Sequence, residues 1–259
     1  RAFPIMKDDL VLVVIPYYGG GAQGNELDLA ICGWHSHFCH TNYKIVLVGE
    51  ELPQRYAGSE NVVLMESKRV DGQPGSYRQH LDYVSCFMKV YERYGQVTRG
   101  FIFTADDVYA VNDFDLADVQ ILKAHAPSFC GDPNSTNGWK RDMAKTRQLL
   151  DREGMPCVNF TTHLPQWYDW DKLLLIYALY DMRITSYVFE NVYYNHFCSR
   201  RIPEMLDGSD RYRLGVWCKD DVKKVRDAMT SKIWIVNSVE GWSRELERTI
   251  KEHYEDLEI

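Results

Sequence analysis

Residues 10–15, Leu-Val-Leu-Val-Val-Ile, are apolar at every position and stop at Pro16. A β-branched run without alternation marks a strand buried on both faces, the pattern of a central strand in a parallel sheet. Beyond Tyr17, Tyr18 and a glycine-rich turn, Leu27, Ile31, Trp34 and Phe38 recur at helical spacing, and residues 43–49 return to a strand pattern. These segments make a βαβ unit. A shorter strand is expected at 61–65, then a loop with Asp71-Gly72 and Pro74-Gly75, and Ser76 as an N-cap. Tyr77, Leu81, Val84, Met88, Tyr91 and Tyr94 share one face of the next helix, which Gly95 stops. Residues 99–104 form another buried strand. It delivers Ala105-Asp106-Asp107-Val108-Tyr109 at its carboxyl end, where open α/β sheets bind their ligands.

The second half predicts helices over 140–153, 171–182, 219–229 and 242–254, and a strand over 232–236. Residues 130–138 read as turns, and 157–170 as an irregular aromatic loop suited to a pocket wall, with Trp167, Tyr168 and Trp170 as faces for stacking a sugar or base. No Pro/Gly/Ser linker and no internal repeat separates the halves. The expected fold is one compact α/β domain, a mostly parallel central sheet flanked by helices, whose two halves meet near residue 118.

Composition narrows the function classes. A chain of 259 residues with 45% hydrophobic and 26% charged residues buries a full core and is not disordered. The net charge of -7 offers no overall field for a phosphate backbone or an anionic membrane, which argues against nucleic acid as a partner. No apolar stretch approaches the roughly 20 residues of a membrane span. Arg1-Ala2-Phe3-Pro4 has no charged-then-apolar signal architecture, although a start at Arg suggests a trimmed chain. Seven scattered cysteines, an odd number, read as buried thiols in a reducing compartment, so cytoplasm is the expected location.

The chemistry-bearing candidates start with Asp106 and Asp107. Adjacent carboxylates after a buried strand repel one another unless a cation or donors satisfy them. Mg²⁺ or Mn²⁺ resolves that conflict, because each takes oxygen ligands and shares its shell with phosphates and water; the plainer reading is a turn capped by Asp106. Gly19, Gly21 and Gly24 match a GxGxxG spacing between strand and helix, with Glu50 after the next strand, which makes an NAD(P)-binding Rossmann oxidoreductase the competing class. Against it, Pro16-Tyr17-Tyr18 separate the strand from the glycines. Cys32, His35, His37, Cys39 and His40 crowd together without a zinc-site spacing. His163 and His196 are candidates to serve a metal, a phosphate or an acceptor, or are packed core histidines. Asp169 and Asp171 are candidates for the base, although Asp169 is equally placed as a helix N-cap.

Ile15-Pro16-Tyr17-Tyr18, Gly75-Ser76-Tyr77-Arg78 and the strand ending Ala105-Asp106-Asp107 occur in the order found in GT-A glycosyltransferases, which the chain resembles over residues 9–118. Residues 145–150 (Lys-Thr-Arg-Gln-Leu-Leu), 159–165 (Asn-Phe-Thr-Thr-His-Leu-Pro) and 232–237 (Lys-Ile-Trp-Ile-Val-Asn) are similar to Stealth-like sugar-phosphate transferases and related capsular or phage glycosyltransferases. The resemblance implies a GT-A-like domain, with a nucleotide-sugar-binding half over 1–118 and an acceptor-binding half over 119–259. Pro16, Tyr17, Tyr18 and Glu50 would line the nucleoside side, Arg78 would face the diphosphate, and Asp106 would contact ribose or a metal-bound water. Asp107 would hold Mn²⁺ or Mg²⁺ and His163 would sit at the reacting centre; from the residues themselves, His196 is the further metal candidate and Asp169 and Asp171 the further candidates for catalysis. The implied activity moves a sugar from a nucleotide-sugar, a UDP-sugar first, to a saccharide or other hydroxyl acceptor; a modified DNA base would suit a phage protein, but the acidic balance gives it no support. The aspartates are contiguous rather than Asp-x-Asp, and Tyr17-Tyr18-Gly19-Gly20 replaces the Trp-Val-Asp-Gly-like opening of Stealth proteins, which favours glycosyl over phosphosugar transfer. A non-catalytic nucleotide-sugar-binding protein would share the fold without metal dependence.

Overall fold

The computed structural model describes residues 9–70 and 79–255. Its elements are β1 (Val11–Tyr18), α1 (Glu26–His37), β2 (Tyr43–Glu50), β3 (Val62–Glu66), α2 (Gln79–Tyr94), β4 (Gly100–Phe103) and β5 (Val108–Ala110). The second half continues with α3 (Leu116–Gln120), β6 (Lys123–Ala124), α4 (Gly138–Arg152), β7 (Gln166–Asp169), α5 (Trp170–Leu179) and α6 (Phe189–Phe197). It ends with β8 (Glu204–Met205), β9 (Arg213–Val216), α7 (Val225–Ala228), β10 (Trp234–Asn237) and α8 (Arg244–Glu255).

The main sheet has the order β3-β2-β1-β4-β7, parallel except for β7, which pairs antiparallel with β4. A second sheet, β5-β10-β9, follows directly from the end of β4, and β6 pairs with β8. The architecture is the expected α/β fold with a mostly parallel central sheet flanked by helices. Strand pleating explains why β1 is apolar throughout. Leu12 and Val14 enter a core with Phe87 and Val90 of α2, Trp170 of α5 and Phe189 of α6. Val11, Val13 and Ile15 enter the opposite core with Leu27, Ile31 and Trp34 of α1 and with Trp234 of β10.

Strand order reverses beside β1. The chain lays β2 and β3 on one side of it and returns to place β4 on the other, and such a switch point opens a crevice at the carboxyl ends of the strands. β1 runs past β4 into that crevice, since Val14 pairs with Phe103, while Tyr17 and Tyr18 pair only with Gly49 and Glu50 of β2. Gly49 has φ +152°, and a Cβ there would fall 1.9 Å from the Tyr17 carbonyl oxygen. Gly49→Ala is therefore expected to destabilise the protein by about 3 kcal/mol through strain and displacement of β1, read as a shift of the urea midpoint.

Several expectations change. Residues 166–169 are a strand, not loop. Tyr168 and Trp170 are core, with ring centroids 5.6 and 4.3 Å from Phe101, and are closed to a sugar; Trp167 is partly buried against the same sheet. The helix expected over 219–229 is a 3₁₀ turn, Lys219–Lys224, followed by the single turn of α7. The cysteines are free, but Cys39, Cys130 and Cys218 are exposed and only Cys86 is buried. Among the described residues no helix is long and apolar enough to cross a membrane.

Candidate functional site

The crevice at the switch point holds a cavity of about 440 Å³. Pro16, Tyr17, Tyr18, Gly49, Glu50 and Asp106 line it, together with Asp107 at its inner end. Asp106 and Asp107 form the turn between β4 and β5, so one sheet ends and the other begins at the acidic pair. Half-buried by surface, both aspartates lie deep within the protein mass, and that depth governs their solvation. Burial raises the Asp106 carboxyl above the usual range. Burial raises Asp107 well above it, and the charges of Asp106 and Glu26 push it further.

Glu26 is the third carboxylate of this corner. As the first residue of α1 it is 6% exposed, and burial followed by the Asp106 charge lifts it to about 7 against the opposing hydrogen bond from Asn237. The Asn237 side-chain amide donates to Glu26 Oε1 at 2.7 Å, and the Gln23 N–H donates to Oε2 at 3.1 Å. The Tyr109 hydroxyl donates to Asn237 Oδ1 at 2.5 Å, and the Asn237 N–H donates to the Asp107 carbonyl at 3.2 Å. Asn237→Leu would leave Glu26 Oε1 and the Tyr109 hydroxyl without partners in a buried place, an expected loss of about 3 kcal/mol in denaturant unfolding.

The far wall brings two cations, Lys68 and Arg69, beside the carboxylates of Glu50 and Asp82. Glu50 accepts the Arg69 N–H at 2.7 Å and Asp82 of α2 accepts the Val70 N–H at 2.6 Å, which pins the loop after β3. The Arg69 guanidinium lies 3.5 Å from Asp82 Oδ2 and 4.1 Å from the centre of the Tyr18 ring, and Lys68 lines the same cavity. Glu50 thus acts here on the loop backbone as well as on the cavity wall.

A second cavity of about 170 Å³ meets the first at Ala105 and Asp107. Thr104, His80, Glu190, His163 and Trp139 line it. His163 has φ +55°, a left-handed conformation unusual for a side chain with a Cβ and often kept at functional sites. Its ring is exposed along the cavity, 5.7 Å from Trp217, yet lies deep in the surrounding mass. Burial, then Arg213 and His125, hold the imidazole down to about 4, and a solvent-facing ring beside Arg213 still stays neutral near pH 7.

Of the residues singled out in the sequence, the structure brings Pro16, Tyr17, Tyr18, Glu50, Asp106, Asp107 and His163 together. It separates three others. Asp169 pairs with Gly100 at the amino end of β4, the opposite end of the sheet from Asp107, and is held by Arg99 at 3.3 Å and Lys172 at 2.5 Å. Asp171 is exposed in the first turn of α5, and His196 bonds the Tyr180 hydroxyl at 3.1 Å at the end of α6. None of the three lines either cavity around Asp107, so the structure separates them from the acidic pair. Arg78 lies outside the described residues. The Cys/His cluster of α1 disperses: His37 pairs with Asp113 at 3.0 Å, His35 with the Tyr43 hydroxyl at 2.8 Å, and His40 with the Asp9 carbonyl at 2.9 Å. Glu26, Asn237, Thr104, His80 and Glu190 escape a reading of the sequence for function. A carboxylate opening a helix reads as an ordinary response to the helix dipole, and only its burial marks Glu26 as different.

No protein-family model and no curated protein matches the sequence. Among solved structures the chain is similar to a glycosyltransferase involved in the glycosylation of the major capsid of PBCV-1, with 14% identity over 97% of this chain and 100% of that one, and a TM-score of 0.40. It is also similar to the apo structure of WbbM, a bifunctional glycosyltransferase, with 11% identity over 98% of this chain and a TM-score of 0.50. The chain spans about half of WbbM, covering 50% of its length. What is shared at these identities is the course of the backbone, a fold found in glycosyltransferases.

Proposed function

We propose that this protein transfers a sugar from a nucleotide-diphosphosugar to a hydroxyl acceptor with the help of a divalent cation. The observation that carries the reading is the acidic corner: burial raises the carboxyls of Asp106, Asp107 and Glu26, and the Asp106 charge pushes Glu26 and Asp107 further, at the carboxyl end of the sheet beside a cavity that Lys68 and Arg69 also line. Among the described residues no Lys, Arg or His is ion-paired with these carboxylates, so a bound cation is the natural counter-charge. Among the described residues no three His, Cys, Asp or Glu side chains are grouped to hold a metal alone. That donor set fits Mg²⁺ or Mn²⁺, which complete their shells with phosphate oxygens and water, better than a structural zinc.

Asp107 would hold the cation, with Asp106 beside it, and Glu26 would set the field of the corner from its fixed position. When bound, the cation supplies charge stabilisation to the departing diphosphate. Lys68 and Arg69 add positive charge from the far wall of the cavity, in place before the reaction begins. Tyr17 and Tyr18 present rings to the nucleoside, a uridine first, and Arg69 over Tyr18 keeps that ring in place. His163, at the mouth of the adjoining cavity, would bond the acceptor or the transferred sugar as a neutral imidazole.

The dinucleotide reading fares less well on this geometry. Gly19–Gly21 form a 3₁₀ turn and α1 opens only at Glu26, whose own carboxylate takes the Gln23 N–H where a pyrophosphate would be held. Calorimetric titration with a panel of nucleoside diphosphates and NAD(P), with and without Mn²⁺, tests the choice. Binding of a nucleoside diphosphate that requires metal is the expected result. Metal-independent binding of NAD(P) would overturn the transferase reading.

A further inference from the structure

The small cavity behind Asp107 has a floor of buried polar groups that make no hydrogen bond, although His80 Nδ1 and Glu190 Oε2 face each other at 3.5 Å. Thr104 Oγ1, both ring nitrogens of His80 and Glu190 Oε2 are buried without a hydrogen bond, and all three residues line the same 170 Å³. Thr104 is 2% exposed, His80 4% and Glu190 8%. Buried polar atoms are nearly always paired, so three orphaned side chains around one void call for a ligand rich in hydroxyls. The rim of this void is aromatic: Trp139 lines it with 41% of its surface exposed, and Trp217, 43% exposed, stands 5.7 Å from His163. Exposed indole faces around a polar floor suit a pyranose ring, which offers C–H groups to the rings and hydroxyls to the floor.

Resting on the transferase reading above, the geometry points to this cavity as the seat of a pyranose acceptor, with Glu190 as the group that takes the proton from its reacting hydroxyl. In the step, the acceptor O–H bond breaks and its proton passes to Glu190 Oε2. The acceptor oxygen bonds the anomeric carbon, the bond from that carbon to the phosphate oxygen breaks, and the electron pair leaves with the nucleoside diphosphate. Glu190 lies on α6, and His80 of α2 faces it with Nδ1 at 3.5 Å from Oε2. Burial pushes the Glu190 carboxyl up to about 8 and His80 down to about 3, so the pair is uncharged at neutral pH. Tyr168 and Tyr194 also face Glu190, and Asp107 and His163 stand around the same void. With Glu190 protonated below about 8, the base form accumulates as pH rises, and transfer rises with it.

The test uses saturation-transfer NMR with methyl glycosides of glucose, galactose, mannose and rhamnose, in the presence of UDP and Mn²⁺. It compares wild type, Thr104→Val and Glu190→Gln, with calorimetric UDP binding as the check that each protein is folded. The expected result is contact with at least one glycoside in wild type, weakened about 10-fold in Thr104→Val. Glu190→Gln is expected to retain glycoside binding, to lower turnover of the UDP-sugar about 100-fold, and to lose the rise in rate through pH 8. Intact UDP binding without any glycoside contact, or Glu190→Gln with wild-type turnover, overturns the acceptor seat alone. Absence of metal-dependent UDP binding in wild type overturns the reading on which it rests as well.

Discussion

Asp107→Ala is expected to reduce sugar transfer by at least about 1,000-fold, a loss near 4 kcal/mol of transition-state stabilisation. Asp107 is shared by both cavities, and burial raises its carboxyl well above the usual range, with the charges of Asp106 and Glu26 adding to it. Removing it takes away the anchor of the cation and the point where donor and acceptor sides meet. The same substitution relieves repulsion among three carboxylates, so the isosteric Asp107→Asn should melt at a higher temperature than wild type when no metal is present. An enzyme that became more stable as it lost activity would locate the strain of the fold in its site. Single-turnover consumption of a UDP-sugar and thermal melting measure the two effects. Wild-type turnover by Asp107→Asn would sink the assignment of this residue.

The stability of the metal-free protein should fall as pH rises from about 6.5 to about 8, above the range in which the depressed His80 and His163 titrate in the unfolded chain. The folded state holds protons on Glu26, with its pKa of about 7, and on Glu190, at about 8, after an unfolded chain has released them near 4.5. Below about 6.5 the unfolded chain binds protons on His80 and His163 that the folded state refuses, which offsets the two glutamates; above it the folded state binds more protons, so the slope of unfolding free energy with pH is negative. Glu26 alone accounts for about 3 kcal/mol across its window, at 1.36 kcal/mol per pH unit. Mn²⁺ with UDP should reverse the trend, because a cation favours the ionised carboxylates that the metal-free fold resists. Melting temperatures across pH, with and without Mn²⁺ and UDP, provide the measurement. A metal-free protein that grows steadily more stable from pH 5 to pH 8 would contradict the acidic corner as described.

The long parallel strands were legible because burial on both faces leaves an unbroken apolar run; β2, β3 and β4 stand within one residue of their expected positions at each end, while β1 runs on through Pro16 to Tyr18. Shorter pieces were not. β5 has three residues and β7 four, and their pairing comes from neighbours distant in the chain rather than from a period of their own. α6 was hidden for a different reason: Phe189 through Asn195 are all buried, so the helix has no polar face against which a stripe could show. In the site, the aspartate pair could be found because a predicted strand aimed it at the ligand-binding edge. Asp169 misled for the converse reason. It looked close to His163 in sequence, but β7 runs antiparallel, and three residues of strand carry it from Gln166, opposite Phe103, to the other end of the sheet.

The bond from Asn237 to Glu26 closes a separation of 211 residues, and the bond from Tyr109 to Asn237 one of 128. During synthesis from the amino end, the main sheet has all its strands once residue 169 has emerged, yet the acidic corner still lacks the amide that braces it. Until β10 is made, a nascent chain carries a nearly finished scaffold around an unbraced, self-repelling cluster of carboxylates. Such a long-range closure is slow and comes last, so catalytic competence should trail compactness on the ribosome and be the first property lost from chains that end before Asn237.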